Sequence, residues 1–294
     1  MKQKARFDYD EVFMGVFQDR PKGFYKETYK EKPELRRIVE MVKVKKGRIL
    51  DIGSGGGFLT ECLPFYYPNT RVFGCDISRS AIQYAISYGT GQVKYKVMKK
   101  RLPYTSNYFD VCICTDVIEH IPDVPYFLNE VRRILKKNGT FFLSIPCEGQ
   151  PFTLHWFFRK IGFWGDLTFK HIGHIHPEFT HTYVINLFQK YGFNILAKKY
   201  NERWIVQVLR YVLYMIPKEI LEFSIGPKKA ENYSDRMVVG KNHRRINDIL
   251  MHIRILWLKF CKLTKILYDV DAEYFTNFSF TAGKICLLVG NGKK

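Results

Sequence analysis

Arg48–Thr60, RILDIGSGGGFLT, decides the fold. The apolar run Ile49, Leu50 and Ile52 carries Asp51, then breaks into Gly53, Gly55, Gly56 and Gly57 before Phe58 and Leu59 open a helical pattern. That order is strand, glycine turn, helix. Glycine suits such a turn because its backbone takes angles that side chains forbid and lets a ligand approach main-chain N–H groups closely. A dinucleotide-binding turn counted from Gly53 wants a small residue where Phe58 stands, and a phosphate-binding loop wants a lysine that Phe58, Leu59 and Thr60 do not supply. Both patterns fail, which leaves D-x-G-x-G-x-G.

The same unit recurs. Arg71–Asp76 (RVFGCD) is a second apolar strand ending in a carboxylate, followed by a helix carrying Ala81, Ile82, Ala85 and Ile86. Asp76, one strand over from the glycine turn, can accept two ribose hydroxyls, or it can belong to the cap region of the next helix. Gln92–Val97 is a third strand. Tyr108–Pro146 then supplies a strand at Val111–Thr115, a helix with Phe127, Leu128, Val131, Ile134 and Leu135, a stop at Gly139, and a fifth strand. Repeated strand–helix units with apolar strands imply a parallel sheet covered on both faces. A helix with Pro33 in its first turn should precede the glycine turn, and a helix at Tyr183–Tyr191 and a strand at Phe193–Tyr200 should follow the fifth strand. The last strand lies within Asn277–Val289.

Segments 48–60 and 108–146 together resemble the class I S-adenosylmethionine-dependent methyltransferases, the first as their motif I, and a looser resemblance runs from Glu31 to Tyr200. The resemblance implies an α/β, doubly wound, Rossmann-like, seven-stranded and mostly parallel sheet with a helical insertion before the last strand. It divides the chain into an N-terminal extension (1–30), a core (31–200), the insertion (201–275) and a last strand with its tail (276–294). It implies S-adenosylmethionine as cofactor, held by Asp51, Gly53, Ser54, Gly55, Gly57, Asp76, Ile77, Met98, Lys99 and Thr115. Where the family usually has an aspartate for the adenine amino group this chain has Met98, so the loop of Met98 and Lys99 is left with main-chain contacts.

Asp116, Glu119 and His120 follow the fourth strand at i, i+3 and i+4, the spacing of one helix face, so two carboxylates and an imidazole can converge on a hydroxyl proton. The same residues fit a capping box, with Asp116 as cap and Glu119 reaching back. Similar x-x-E-H blocks occur in the quinone-pathway O-methyltransferases, which this stretch resembles. No metal is assigned, since three ligands on one short helix are a weak pattern. His174 and His176, in the histidine-rich run that also holds His171 and His181, are further base candidates, because HIGHIHPEFTH resembles the family's loop over the substrate. Pro146-Cys147 follows the fifth strand, one strand too late for a cytosine-methylating nucleophile. Segments typical of amino-group methylation are missing after the fourth strand, so an oxygen nucleophile is expected.

Composition sets the outer limits. With 294 residues, 46% hydrophobic and 16% aromatic, the chain can bury a sizeable core, and its formal charge of +19 implies an acidic partner. The seven cysteines form no CxxC pair and Cys75, Cys112, Cys114 and Cys286 sit in apolar runs, which reads as a reducing cytosol; the opening MKQKARFDY is polar and has no secretory pattern. Trp204–Phe223 is long, but Arg210, Pro217, Lys218, Glu219 and Glu222 interrupt it, so it does not read as a membrane span. Asn247–Tyr268 reads as a basic amphipathic helix, with Ile253, Leu256, Trp257, Phe260, Leu263 and Leu267 opposite His252, Arg254, Lys259, Lys262 and Lys265. It is either a lid on the sheet or a contact with an anionic membrane. The expected acceptor is a small molecule, a lipid-linked glycan or an isoprenoid or phenolic lipid, with the protein cytoplasmic and peripheral at the inner membrane face. RNA methylation and a non-catalytic binding protein are the alternatives.

Overall fold

The computed structural model describes residues 33–161, 173–210 and 280–292. The proposed extension 1–30, His171, Trp164 and the amphipathic stretch 247–268 lie outside the described residues, as does the insertion beyond Arg210. Seven strands form one sheet in the order β3-β2-β1-β4-β5-β7-β6, with β1 (Gly47–Ile52), β2 (Thr70–Asp76), β3 (Val93–Val97), β4 (Phe109–Thr115) and β5 (Leu135–Pro146) all parallel. β6 (Phe193–Asn201) lies at one edge, and β7 (Lys284–Asn291) runs antiparallel between β5 and β6. The doubly wound α/β reading holds.

Alternation along each strand sends neighbouring side chains to opposite faces. Leu50, Ile52, Cys112, Cys114, Phe141 and Leu143 therefore join one cluster, packed under α4 (Val124–Ile134) and α6 (His181–Lys190). Ile49, Val111, Ile113 and Phe142 join the other, under α1 (Pro33–Met41) and α2 (Leu63–Tyr66). The central strands are buried on both sides, whereas β6 alternates because it is an edge. All six described cysteines are free and buried, as their apolar runs imply. Among the described residues no helix is long and apolar enough to cross a membrane.

Three boundaries differ from the sequence reading, each for a reason remote from local periodicity. Phe58 and Leu59 do not open a long helix; a tight turn at Thr60–Cys62 precedes the four-residue α2. Pro64 lacks the N–H that would reach back to Thr60 and its ring crowds that carbonyl, so a continuous α-helix cannot pass. Gly139 does not stop α4. The helix ends at Ile134, and its last carbonyls are taken by Asn107 N–H (to Arg133, 2.9 Å) and Tyr108 N–H (to Ile134, 2.8 Å). The Asn291 amide donates to the Lys136 carbonyl at 3.1 Å just beyond. Lastly, β7 begins at Lys284, and Phe280, expected in that strand, sits before it and is exposed.

A third helix, α3 (Arg79–Tyr88), is tied to the glycine region by Glu61, whose buried carboxylate accepts bonds from Thr90 N–H (2.9 Å), Thr90 Oγ1 (2.6 Å) and Tyr95 Oη (2.8 Å). Glu61→Ala removes the charged acceptor of the Tyr95 hydroxyl and of both Thr90 donors, and should cost about 2–4 kcal/mol in chemical denaturation. Adding Tyr95→Phe to that variant should cost little more. A full additional penalty would show that the carboxylate is not the tyrosine's partner.

Candidate active site

The glycine turn follows β1 at the carboxyl rim of the sheet. Gly53, Gly55 and Gly57 have φ of +78°, +51° and +82°, the left-handed region that favours glycine. They are not equivalent. A Cβ on Gly53 would stand 2.2 Å from Val117 Cγ2, and one on Gly57 would stand 2.4 Å from Tyr95 Oη, whereas one on Gly55 meets nothing within 4 Å. Gly53 and Gly57 are therefore required by the protein's own packing, and Gly55 alone faces open space. Asp51 lies beneath the turn, 2% exposed, accepting Thr60 Oγ1 at 2.6 Å. Burial pushes its carboxyl pKa up to about 7, with the Thr60 bond opposing and the nearby Asp76 adding.

Asp76 closes the turn from β2. One of its oxygens accepts Gly55 N–H at 2.8 Å and the other accepts Ser78 N–H at 2.8 Å, while Ser78 itself caps α3 through Ala81 N–H at 3.0 Å. The carboxylate and cap roles thus fall on different residues. Met98 N–H donates to the Asp76 carbonyl at 2.7 Å, and the Met98 sulfur touches Cys75 Sγ at 3.8 Å. Ile77 and Lys99 are exposed near Asp76, Thr115 is half-buried at the end of β4, and buried Ser54 Oγ makes no hydrogen bond among the described residues.

The acidic and histidine groups lie across the crevice, after β4 and β5. Asp116, Glu119 and His120 do not share an α-helical face: only Ile118–His120 form a single tight turn, and Asp116 precedes it with φ +54°. Pro122 forces Ile121 to be extended and stops any helix there. No capping box forms either. Both Asp116 oxygens take the ammonium of Lys284, at 2.7 and 2.8 Å. Lys284 is 6% exposed, with Glu34 at 3.6 Å and Glu202 at 3.9 Å. Burial acts to lower its pKa, but Asp116, Glu34 and Glu202 overturn that and hold it well above the ordinary lysine value.

Glu119 is 2% exposed and neither oxygen has a hydrogen-bond partner among the described residues. Its Oε1 stands 3.8 Å from His174 Nε2 and 4.0 Å from His120 Nε2. Burial, then the Asp116 charge, pushes its pKa well up. His120 is pushed down to about 4 by burial first and His174 second, so its ring is neutral at pH 7; its Nδ1 meets the Gly173 carbonyl at 3.1 Å. His174 Nδ1 bonds Glu148 Oε1, whose other oxygen is 3.6 Å from His155 Nε2. His176 points elsewhere: its nitrogens meet Glu178 and the Ile121 carbonyl, both at 2.8 Å, and its ring stacks on Phe179. It latches the loop. Ile175 N–H to the Glu119 carbonyl and Gly149 N–H to the Phe179 carbonyl, both 2.9 Å, complete the seam.

Glu148, His155 and Lys284 were not singled out from the sequence. Glu148 had a usable signal, since it follows β5 as Asp76 ends β2 and Asp116 follows β4. Cys147 beside it is fully buried, and burial pushes its thiol pKa up, which removes it as a nucleophile. Glu119, His120 and His174 each offer a ligand atom within 4.8 Å of the others, and the two rings are fixed through their Nδ1 atoms. A carboxylate and two imidazoles so oriented can hold a divalent ion or pass a proton.

A family model described as a methyltransferase domain matches residues 25–198. A ubiquinone biosynthesis O-methyltransferase of Pelagibacter ubique is 33% identical over 104 residues, 34% of this chain and 42% of that protein, so the chain spans about two fifths of that relative's length. Two solved structures share the fold. The phosphoethanolamine N-methyltransferase 2 of Haemonchus contortus, in complex with S-adenosyl-L-methionine, has a TM-score of 0.52 at 18% identity, covering 97% of this chain and 56% of that one. The geranyl diphosphate C-methyltransferase of Streptomyces coelicolor A3(2), in complex with S-adenosyl-L-homocysteine, has a TM-score of 0.52 at 11% identity, covering 87% and 74%.

Asp51 generates a pH prediction. Its folded pKa of about 7 lies above the ordinary 3.8, so between those values the folded chain keeps a proton that the unfolded chain has released. Stability on this account falls as pH rises through that window and levels off above it. Asp51→Asn should therefore be more stable than wild type at pH 8, by a few kcal/mol, with the advantage shrinking toward pH 4. Thermal melts across that range giving a constant difference would remove the buried charge as the cause.

Proposed function

We infer function from one premise, that the chain belongs to the methyltransferase-domain family. We propose that it transfers a methyl group from S-adenosylmethionine to a hydroxyl. The observation that carries the cofactor reading is Gly55, whose missing Cβ faces open space at the rim while Gly53 and Gly57 are filled by protein. Asp76, which holds Gly55 N–H and Ser78 N–H at the end of β2, is the carboxylate placed to take ribose hydroxyls. With Met98 at the third strand, adenine is recognised by main-chain groups of the Met98 and Lys99 loop.

S-adenosylmethionine, when bound, supplies an already electrophilic methyl group. The chain's own residues then have to align the acceptor oxygen and take its proton. His174 is the preferred base, because Glu148 on its Nδ1 fixes the ring and stabilises the cation formed when Nε2 is protonated. His120 meets the Gly173 carbonyl through Nδ1, and burial holds its ring neutral. Glu119, driven toward its protonated form by burial, faces both rings. Asp116, bound by Lys284, shapes the rim instead of acting as a base. A second reading, favoured by the convergence of Glu119, His120 and His174, is a divalent cation that lowers the pKa of the hydroxyl.

The acceptor we propose is a lipid-linked glycan or an isoprenoid or phenolic lipid, met by a cytoplasmic protein at the inner membrane face. The name of the Pelagibacter relative and the charge of +19 support it. Neither RNA methylation nor a non-catalytic binding role is favoured by the relatives.

S-adenosylmethionine or its demethylated product should raise the melting temperature of wild type, and Gly55→Val should abolish the rise by straining a φ of +51° and filling the open side. No rise at millimolar ligand would sink the cofactor reading. His174→Ala should lower turnover by about 10²–10⁴, and Glu148→Gln by less, both with cofactor affinity kept. If chelation abolishes turnover and magnesium or zinc restores it, the cation reading replaces the proton reading.

A further inference from the structure

Six of the exposed large apolar residues fall on three stretches that are bonded to one another: Phe152 at 58%, Phe157 at 50%, Ile161 at 56%, Trp204 at 52%, Val208 at 41% and Phe280 at 47%. The others fall singly on separate elements. The six come from three distant stretches held together by specific bonds. Trp204 Nε1–H donates to the Phe152 carbonyl at 2.8 Å, Leu154 N–H to Gln207 Oε1 at 2.6 Å, and Gln150 Nε2–H to the Phe280 carbonyl at 3.0 Å. The Phe152 ring lies 5.8 Å from Trp156 and 5.9 Å from Phe280. Two short helices carry the rest, α5 (Leu154–Lys160) and α7 (Trp204–Arg210).

Helix α5 reads LHWFFRK, with Phe157 and Lys160 exposed. Phe152, just before it, is held at φ +64°, a conformation costing a bulky residue about 1–3 kcal/mol. The bond from Trp204 and the ring contacts hold this conformation while the Phe152 side chain stays more than half exposed. His155, on the same helix, instead faces Glu148, with its side chain 14% exposed. One turn of helix therefore joins this face to the base proposed above. Residues 149–161 and 203–210 contain no Asp or Glu, while Arg159 and Lys160 end α5, so the charge on these elements is entirely positive.

We propose that this aromatic and basic face seats the protein on an anionic lipid bilayer, opening the Glu148–His174 side of the site toward the membrane. The orientation rests on the lipid-acceptor reading; the docking itself does not. Aromatic side chains flanked by cations suit the boundary between headgroups and acyl chains, and scattered exposed residues would not supply a contiguous patch.

The test uses the full chain with vesicles of phosphatidylcholine alone or mixed with phosphatidylglycerol. Wild type should sediment with the mixed vesicles, retain a salt-resistant bound part, and show its tryptophan emission quenched by spin-labelled lipid. Phe157→Ser with Ile161→Ser should lower the partition coefficient about tenfold or more, and Lys160→Glu should lower binding to anionic vesicles only. In both variants the melting temperature and its rise with S-adenosylmethionine should be unchanged. Sedimentation equal to wild type in the serine variant overturns the proposal. So does wild type that ignores anionic vesicles, or a serine variant that melts several degrees lower, which would mean that the face packs against the rest of the chain. If vesicle binding needs the face but S-adenosylmethionine shifts no melting temperature, the methyl-transfer reading fails and the docking stands.

Discussion

The reversal of strand order between β1 and β4 governs everything else in the molecule. Connections from β1 travel one way along the sheet and those from β4 the other, so at that place no crossover covers the strand ends. The glycine turn opens on one side of this gap and the Asp116–His120 segment on the other. A Cβ on Gly53 would collide with Val117, so the two sides are in contact. Neither can shift alone.

Burial sets the chemistry of the crevice more than any single charge does. Asp51, Glu119 and His120 are all driven toward their neutral forms by the same cause, loss of water, although they serve different ends. Lys284 shows what is needed to resist it: three carboxylates round one ammonium. A buried Glu119 with no hydrogen bond among the described residues is stable only as a group that can hold its proton or meet a cation. That is why the carboxylate and the two histidines form one unit.

The sheet was legible in the sequence because each central strand is a continuous apolar run closed by a turn, and burial on both faces demands that pattern. The glycine turn and Asp76 were legible for a related reason, since strand and turn are neighbours in the chain. The histidine site was only half legible. Spacing placed Asp116, Glu119 and His120 on a common helix face, but Pro122 denies the helix and Lys284, 168 residues away, claims Asp116. His174 could be named as a candidate and the place of Glu148 after β5 was a signal, yet their pairing could not be read, because it depends on a loop being sewn to β5 by Gly149 and Phe179. Likewise Gly139 looked like a helix stop, because nothing local reveals that Asn107, Tyr108 and Asn291 already serve the end of α4.

The antiparallel strand has a consequence for synthesis. β7 lies between β5 and β6, and among the described residues β6 pairs with no other strand, so β6 leaves the ribosome before the strand it joins. Until residues 284–291 follow, the edge of β5 is open and Asp116 has no ammonium. The parallel part of the sheet, β1 to β5, can assemble well before that, because its pairings are complete without β7. A nascent chain thus passes through a stage with an exposed central strand, the kind of edge on which chaperones and aggregation compete. Insertion of one late strand ends that exposure and completes the rim in a single event.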